Sequence, residues 1–267
     1  MSDKFRIQPL KKLGQNFLAD QGTTLKIINY LDISKNDLFL EIGPGQGIFT
    51  KEISKVCDNF IAVEFDKRVI ENLQECCPKV NIINEDFLIY NFSKYYDVNN
   101  KTRVFGSIPY NITSPIIFKL IANRNFIIDC NLIIQNEVAK RMIAKCRTKE
   151  YGIYTVLMNY FADVKYHFKI PNTVFFPKPK VHSALISFKF KQRINNEINE
   201  ELFINLVKAS FGNRRKILKN SLSNSIFASH NFSEMSNLMT KRAEELEIND
   251  FIKLTKHVQK QIKERQN

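Results

Sequence analysis

A chain of 267 residues is long enough for one large domain and a small one, and its 44% hydrophobic content with 22 Phe excludes general disorder. Forty Lys and Arg against 27 Asp and Glu leave a net charge of +13. That balance favours a polyanionic partner, with nucleic acid ahead of a membrane surface because no basic amphipathic anchor stands out.

The first eighteen residues, MSDKFRIQPLKKLGQNFL, lack an apolar core of signal-peptide length. No later stretch approaches the roughly 18 continuous apolar residues of a membrane span. A soluble, cytoplasmic chain with no membrane contact is expected. From residue 20 onward helical and strand-like periodicities alternate. A helix is expected over 23–31, then a strand over 38–42 that runs into glycines. A helix over 48–56 leads to a strand over 60–64, a helix over 67–75 and a strand over 80–84. Apolar runs at 103–106 and 131–135 read as further buried strands, each near a helical segment. This alternation argues for an α/β domain built on a parallel sheet covered on both faces. No helical segment separates the strand-like 161–168 from 181–190, which suggests an antiparallel hairpin at the sheet edge. Beyond Lys191 the strand signals vanish, and 199–221 and 239–263 show helical spacing. The sequence KQRINNEIN places the boundary at 192/193, giving domains 1–192 and 193–267. Residues 191–267 hold 14 Lys and Arg against 9 Asp and Glu, so both domains share the basic excess.

The cysteines (Cys57, Cys76, Cys77, Cys130, Cys146) form no CxxC pair and have no His at metal-ligand spacing, so free thiols and no metal site are expected. Chemistry gathers elsewhere. Glu41-Ile-Gly-Pro-Gly-Gln-Gly47 falls between the first sheet strand and its helix, where glycines permit a tight turn and close approach of a ligand. The spacing is not GxGxxG, and Pro44 removes an N–H that a pyrophosphate would want; a dinucleotide or a plain turn remains open on this motif alone. Glu64 closes the second strand about 20 residues later, suited to accept from ribose hydroxyls. Asp86 follows the third strand beside Phe87, suited to an adenine amine and ring. Together these acids describe a nucleoside-shaped site at the carboxyl ends of successive strands.

Gly106-Ser-Ile-Pro-Tyr110-Asn-Ile follows the next strand. Pro109 fixes φ and offers no N–H, so the Ile108 carbonyl can point outward as an acceptor, with the Ser107 hydroxyl as a second one. Two acceptors converging on an exocyclic amine would localise its lone pair. Tyr110 can stack on a flipped base, a contact of roughly 1–3 kcal/mol.

Six ordered segments resemble one family: Gly14-Gln-Asn-Phe-Leu18, the Glu41–Gly47 loop, Ser107-Ile-Pro-Tyr110, Gln135-Asn-Glu-Val-Ala-Lys-Arg141, Phe175-Phe-Pro-Lys-Pro-Lys-Val181 and Phe211-Gly-Asn-Arg-Arg-Lys216. The likeness is to the KsgA/Dim1/Erm adenine-N6 dimethyltransferases and runs from about residue 8 to the end. It implies a Rossmann-like class I methyltransferase domain with a small all-helical C-terminal RNA-binding domain, and S-adenosyl-L-methionine as cofactor. It implies dimethylation of two adjacent adenines in the 3′-terminal hairpin of 16S rRNA within the small ribosomal subunit, by a cytoplasmic monomer. Pro44, the Arg214–Lys216 segment with Leu218 and Asn220, and Arg242-Ala-Glu-Glu-Leu246 favour the KsgA branch over an Erm-type enzyme acting on 23S rRNA. A non-catalytic assembly factor of the same fold is the further alternative.

By resemblance, Asn16, Leu18, Gly43, Glu64, Asp86 and Ser107 hold the cofactor. Ser107, Ile108, Pro109, Tyr110 and Phe175 form the target-base pocket, with Phe175 on the base's other face. The family usually has Asn where this chain has Ser107. Lys11, Lys12, Arg147, Lys149 and Arg214–Lys216 are candidates for phosphate contact, and His167 and His182 for structural or RNA-facing roles.

Overall fold

The computed structural model describes residues 7–191 and 198–266. A two-residue strand β1 (Phe17–Leu18) precedes α1 (Gln21–Leu31), whose first turn is capped by the Asp20 carboxylate accepting from the Thr23 N–H at 2.7 Å. Then follow β2 (Leu38–Ile42), α2 (Ile48–Ile53), β3 (Asn59–Glu64), α3 (Lys67–Cys76), β4 (Asn81–Asn84), β5 (Thr102–Ser107), α4 (Thr113–Ala122) and β6 (Ile127–Gln135). The chain continues through α5 (Asn136–Met142), α6 (Ile153–Phe161), β7 (Ala162–Ile170), β8 (Phe175–Phe176) and β9 (Ser183–Phe190). It ends in α7 (Glu200–Phe211), α8 (Leu218–Ser223), α9 (Ser236–Met239) and α10 (Ile248–Gln266).

Seven strands form one sheet in the order β4-β3-β2-β5-β6-β9-β7. The pairs from β4 to β6 are parallel, and β9 runs antiparallel to β6. Strands β9 and β7 are neighbours at the sheet edge, where the sequence placed a hairpin. Phe39, Leu40, Glu41 and Ile42 of β2 are all buried, as a central strand covered on both faces requires. From β2 the chain crosses to β3 on one side, while β5 flanks β2 on the other. The loops after β2 and β5 therefore part at the carboxyl ends of adjacent strands, the place where open α/β sheets bind ligands.

At the opposite end of these strands Arg103 ties four elements together. Its guanidinium donates to Asp37 at 2.8 Å, to Asp129 at 3.1 Å, and to the carbonyls of Leu31 and Asp32, each at 2.7 Å.

The chain divides into two compact units, Met1–Ala139 with Lys165–Phe190, and Lys140–Val164 with Lys191–Asn267. The boundary anticipated at 192/193 lies outside the described residues. In the second unit α6 is apolar nearly all round. It sets Tyr160 and Phe161 against Phe203 of α7, the Tyr160 and Phe203 ring centroids 4.3 Å apart. This packing groups Lys140–Val164 with the C-terminal helices. Tyr151 completes that core, its hydroxyl donating to the Leu246 carbonyl at 2.8 Å. Among the described residues no helix is long and apolar enough to cross a membrane.

Candidate active site

The first unit carries a cavity of about 330 Å³ at the carboxyl ends of β2, β3, β4 and β5. Asn16, Leu18, Gly43, Glu64, Asp86, Ser107, Ile108, Pro109, Tyr110 and Phe175 all line it. Residues from six separate stretches of sequence thus share one chamber.

The glycine loop forms its floor. Gly43 has φ +65°, and a Cβ added there would meet no protein atom within 4 Å, so the backbone faces open cavity. Gly45, at φ +55°, lies so close beneath Phe17 that a Cβ would fall 2.7 Å from the ring. Both positions favour glycine through their positive φ, and the second also through its packing beneath Phe17.

Glu64 ends β3, buried, with one carboxylate oxygen accepting from the Gly45 N–H at 2.9 Å and the other from the Asp66 N–H at 2.8 Å. Burial pushes its pKa up, and the two backbone donors pull against that rise. Each oxygen keeps a further lone pair for a ligand hydroxyl. Asp86 accepts from the Leu88 N–H at 2.9 Å through one oxygen. Among the described residues the neighbouring Phe87 N–H has no protein acceptor. A carboxylate beside an open N–H matches the amine and ring nitrogen of an adenine edge.

The N-terminal segment closes one wall. Gln15 accepts from the Leu10 N–H at 2.8 Å and donates to Asp66 at 2.9 Å. Arg68 donates to Asp66 at 2.6 Å and to the Gln8 carbonyl at 3.2 Å, and Gln46 donates to the Ile7 carbonyl at 2.8 Å. The Arg68 guanidinium, with help from Gln15, holds the Asp66 carboxyl down at about 2. Asn16 donates to the Gly14 carbonyl at 3.1 Å. Gly14 sits so tightly on Asn111 that a Cβ would come within 2.5 Å of its Oδ1. The two-residue ladder of β1 and β8 pairs Leu18 with Phe175, and both line the cavity.

The opposite wall is the segment after β5. The Ile108 N–H donates to the Ile133 carbonyl at 3.0 Å, and its side chain is buried. Pro109 has φ −57° and ψ 134°. Among the described residues neither the Ile108 carbonyl nor the Ser107 hydroxyl has a protein partner. Both residues line the cavity. Tyr110 begins a short 3-10 turn, Tyr110–Ile112.

Gln15, Asp66, Arg68, Asn111 and Ser183 escaped the sequence reading. Gln15 and Asn111 lay inside quoted motifs without being assigned a role; Asp66, Arg68 and Ser183 carry no local signal. The histidines take structural partners: His167 pairs with the Ser187 hydroxyl at 2.8 Å, and His182 accepts from the Asn172 N–H at 3.2 Å.

A mostly parallel sheet with a cavity at the carboxyl ends of its adjacent strands is the frame of a class I methyltransferase. The ribosomal RNA adenine dimethylase family model matches residues 7–260. The ribosomal RNA small subunit methyltransferase A of Chlorobium phaeobacteroides is 41% identical over 249 residues, covering 93% of this chain and 90% of its own length. The protein of that name in Francisella tularensis subsp. novicida is 37% identical over 257 residues, covering 94% and 98%. Among solved structures, a dimethyladenosine transferase from Plasmodium falciparum superposes with TM-score 0.75 at 26% identity, covering 89% of this chain and 95% of its own. The 23S rRNA methyltransferase ErmE shares the fold, with TM-score 0.63 at 22% identity over 91% and 99%. The chain belongs to the ribosomal RNA adenine dimethylase family.

Proposed function

We propose that this chain uses S-adenosylmethionine to dimethylate N6 of two adjacent adenines in the 3′-terminal hairpin of 16S rRNA, late in small-subunit assembly. The observation that carries this is the shared chamber. Glu64 and Asp86 offer a nucleoside its acceptors on one side, and the open acceptors of Ser107 and Ile108 meet an amine on the other.

When bound, S-adenosylmethionine supplies a methyl on a sulfonium, open to in-line displacement by an amine nitrogen. In this reading Asn16, Leu18, Gly43, Glu64, Asp86 and Ser107 hold that group. The Ile108 carbonyl and Ser107 hydroxyl accept from the adenine –NH2, localise its lone pair and face the positive charge that develops on nitrogen. Pro109 keeps that carbonyl outward, while Tyr110 and Phe175 sandwich the ring. Alignment and acceptors supply the catalysis: the C–S bond breaks as the C–N bond forms, and the acidified nitrogen then sheds its proton to solvent, so the chemistry needs no nucleophilic side chain and no strong base.

The names borne by relatives at 37–41% identity support the small subunit as the target. A cytoplasmic monomer, with residues 1–192 catalytic and 193–267 binding RNA, completes the reading. The test is transfer of labelled methyl to ribosomal particles lacking the modification. Label in 16S rRNA as N6,N6-dimethyladenine at neighbouring positions is expected. Label in 23S rRNA alone would replace this reading with an Erm-type activity, and label in neither with a binding role.

A further inference from the structure

Tyr110 enters the cavity directly after Pro109, so the backbone fixes its Cα and leaves the ring two torsions. The far end of the ring is anchored as well. The phenol oxygen shares a hydrogen bond of 2.8 Å with Ser183 Oγ, a residue 73 positions away. Ser183 is wholly buried at the start of β9, in register with Gln135, and it lines the same cavity. The Asn136 N–H, donating to the His182 carbonyl at 3.0 Å, pins the chain just before it.

A serine here is conspicuous. The next three residues of β9, Ala184, Leu185 and Ile186, are fully buried and apolar. A buried hydroxyl without a partner would be costly, and among the described residues Tyr110 is the partner this one has. Burial pushes the phenol pKa up while the Ser183 bond pulls it down. The phenol is therefore neutral and keeps its proton.

We propose that Ser183 is a positioning residue that grips the Tyr110 hydroxyl and so fixes the ring plane on which the target adenine stacks. The proposal rests on the reading of Tyr110 as a stacking face. It distinguishes two parts of that side chain: the ring contacts the base, and the hydroxyl orients the ring.

The test compares Ser183→Ala, Tyr110→Phe, the double variant, Ser183→Thr and Tyr110→Ala. Methyl transfer to unmodified small-subunit particles is measured in single turnover, with cofactor affinity by calorimetry and thermal unfolding alongside. Removing either hydroxyl should slow transfer by about three- to ten-fold, as loss of one hydrogen bond predicts, with cofactor affinity unchanged. The double variant should be no slower than the single ones, because both remove the same bond. Ser183→Thr, which keeps the hydroxyl, should retain the wild-type rate. If Ser183→Ala does not fold, Tyr110→Phe decides alone, since it alters only the phenol oxygen. Wild-type rates in Ser183→Ala and Tyr110→Phe beside an inactive Tyr110→Ala would overturn the positioning role and leave the stacking face intact. A multiplicative double variant would overturn it too. A fully active Tyr110→Ala would overturn the stacking reading itself, and the proposal with it.

Discussion

Glu41 and Gly43 stand two residues apart at the end of β2 and face opposite demands. Glu41 is enclosed, and its pKa is pushed up to about 8 by burial, reinforced by the charge of Glu64 and opposed by the Thr50 hydroxyl donating at 2.7 Å. A carboxyl raised on folding favours the protonated state. Its contribution to stability is full below about pH 4.5 and is lost as pH climbs through about 8. Glu41→Gln keeps an acceptor for Thr50 and removes the titration. It should change stability little at pH 5 and stabilise by roughly 4 kcal/mol at pH 8.5. Urea unfolding across that range checks this; a difference independent of pH would mean Glu41 is ionised throughout. At Gly43 the argument is conformational. Gly43→Ala puts a methyl into the cavity floor at a positive φ, which should lower S-adenosylmethionine affinity at least about ten-fold by calorimetry. The strain should cost about 1–2 kcal/mol of stability. The glycine loop was legible in sequence because a backbone at positive φ admits few residues other than glycine. Ser183 was not, because its meaning lies in a partner 73 residues away.

At the scale of elements, strands β2 to β5 were legible to within a residue at each end because each is a short apolar run bounded by polar or turn residues. Three features were hidden for physical reasons. The ladder of β1 and β8 has two residues per strand, too few for any period to register. The helical run expected over 199–221 breaks after Phe211, and an isolated bridge from Ile217 to Arg242 explains the pause before α8. The sequence 140–164 sits between sheet strands, yet the apolar surface of α6 is satisfied by α7 and α10. Arg103 shows why the sheet holds its register at the end away from the cavity. From β5 it reaches Asp37 just before β2, Asp129 of β6 and the end of α1, and Asp129 beside it is 6% exposed. Burial pushes the Asp129 pKa up and Arg103 draws it back. Arg103→Met would strand that carboxylate and leave two carbonyls without their donor. The expected loss is about 3 kcal/mol in urea unfolding, with cofactor affinity kept. A loss below about 1 kcal/mol would mean water replaces the guanidinium.

For the molecule as a whole, the +13 charge predicts binding to ribosomal particles that weakens steeply with salt, as neutralised phosphates release counterions. Composition cannot say which cations act, and here the structure refines the expectation drawn from Arg214-Arg215-Lys216. Arg214 is already engaged within its own unit, donating to Glu244 at 3.0 Å and to the Lys149 carbonyl. Its role is to brace the turn after α7. Arg215 and Lys216, both exposed, are the phosphate candidates of that segment. Arg215→Ala with Lys216→Ala should therefore leave the thermal midpoint almost unchanged. It should flatten the plot of log affinity against log salt by about 1.4–1.8, at roughly 0.7–0.9 per phosphate contact. Arg214→Ala should do the reverse, lowering the midpoint while leaving the slope near that of the wild type. Filter binding of small-subunit particles between low and moderate salt reads the slopes directly. An unchanged slope in the double variant would assign both side chains to solvent and move the RNA contact to Lys11, Lys12, Arg147 or Lys149. A slope flattened by Arg214→Ala would mean that its bond to Glu244 opens when RNA binds.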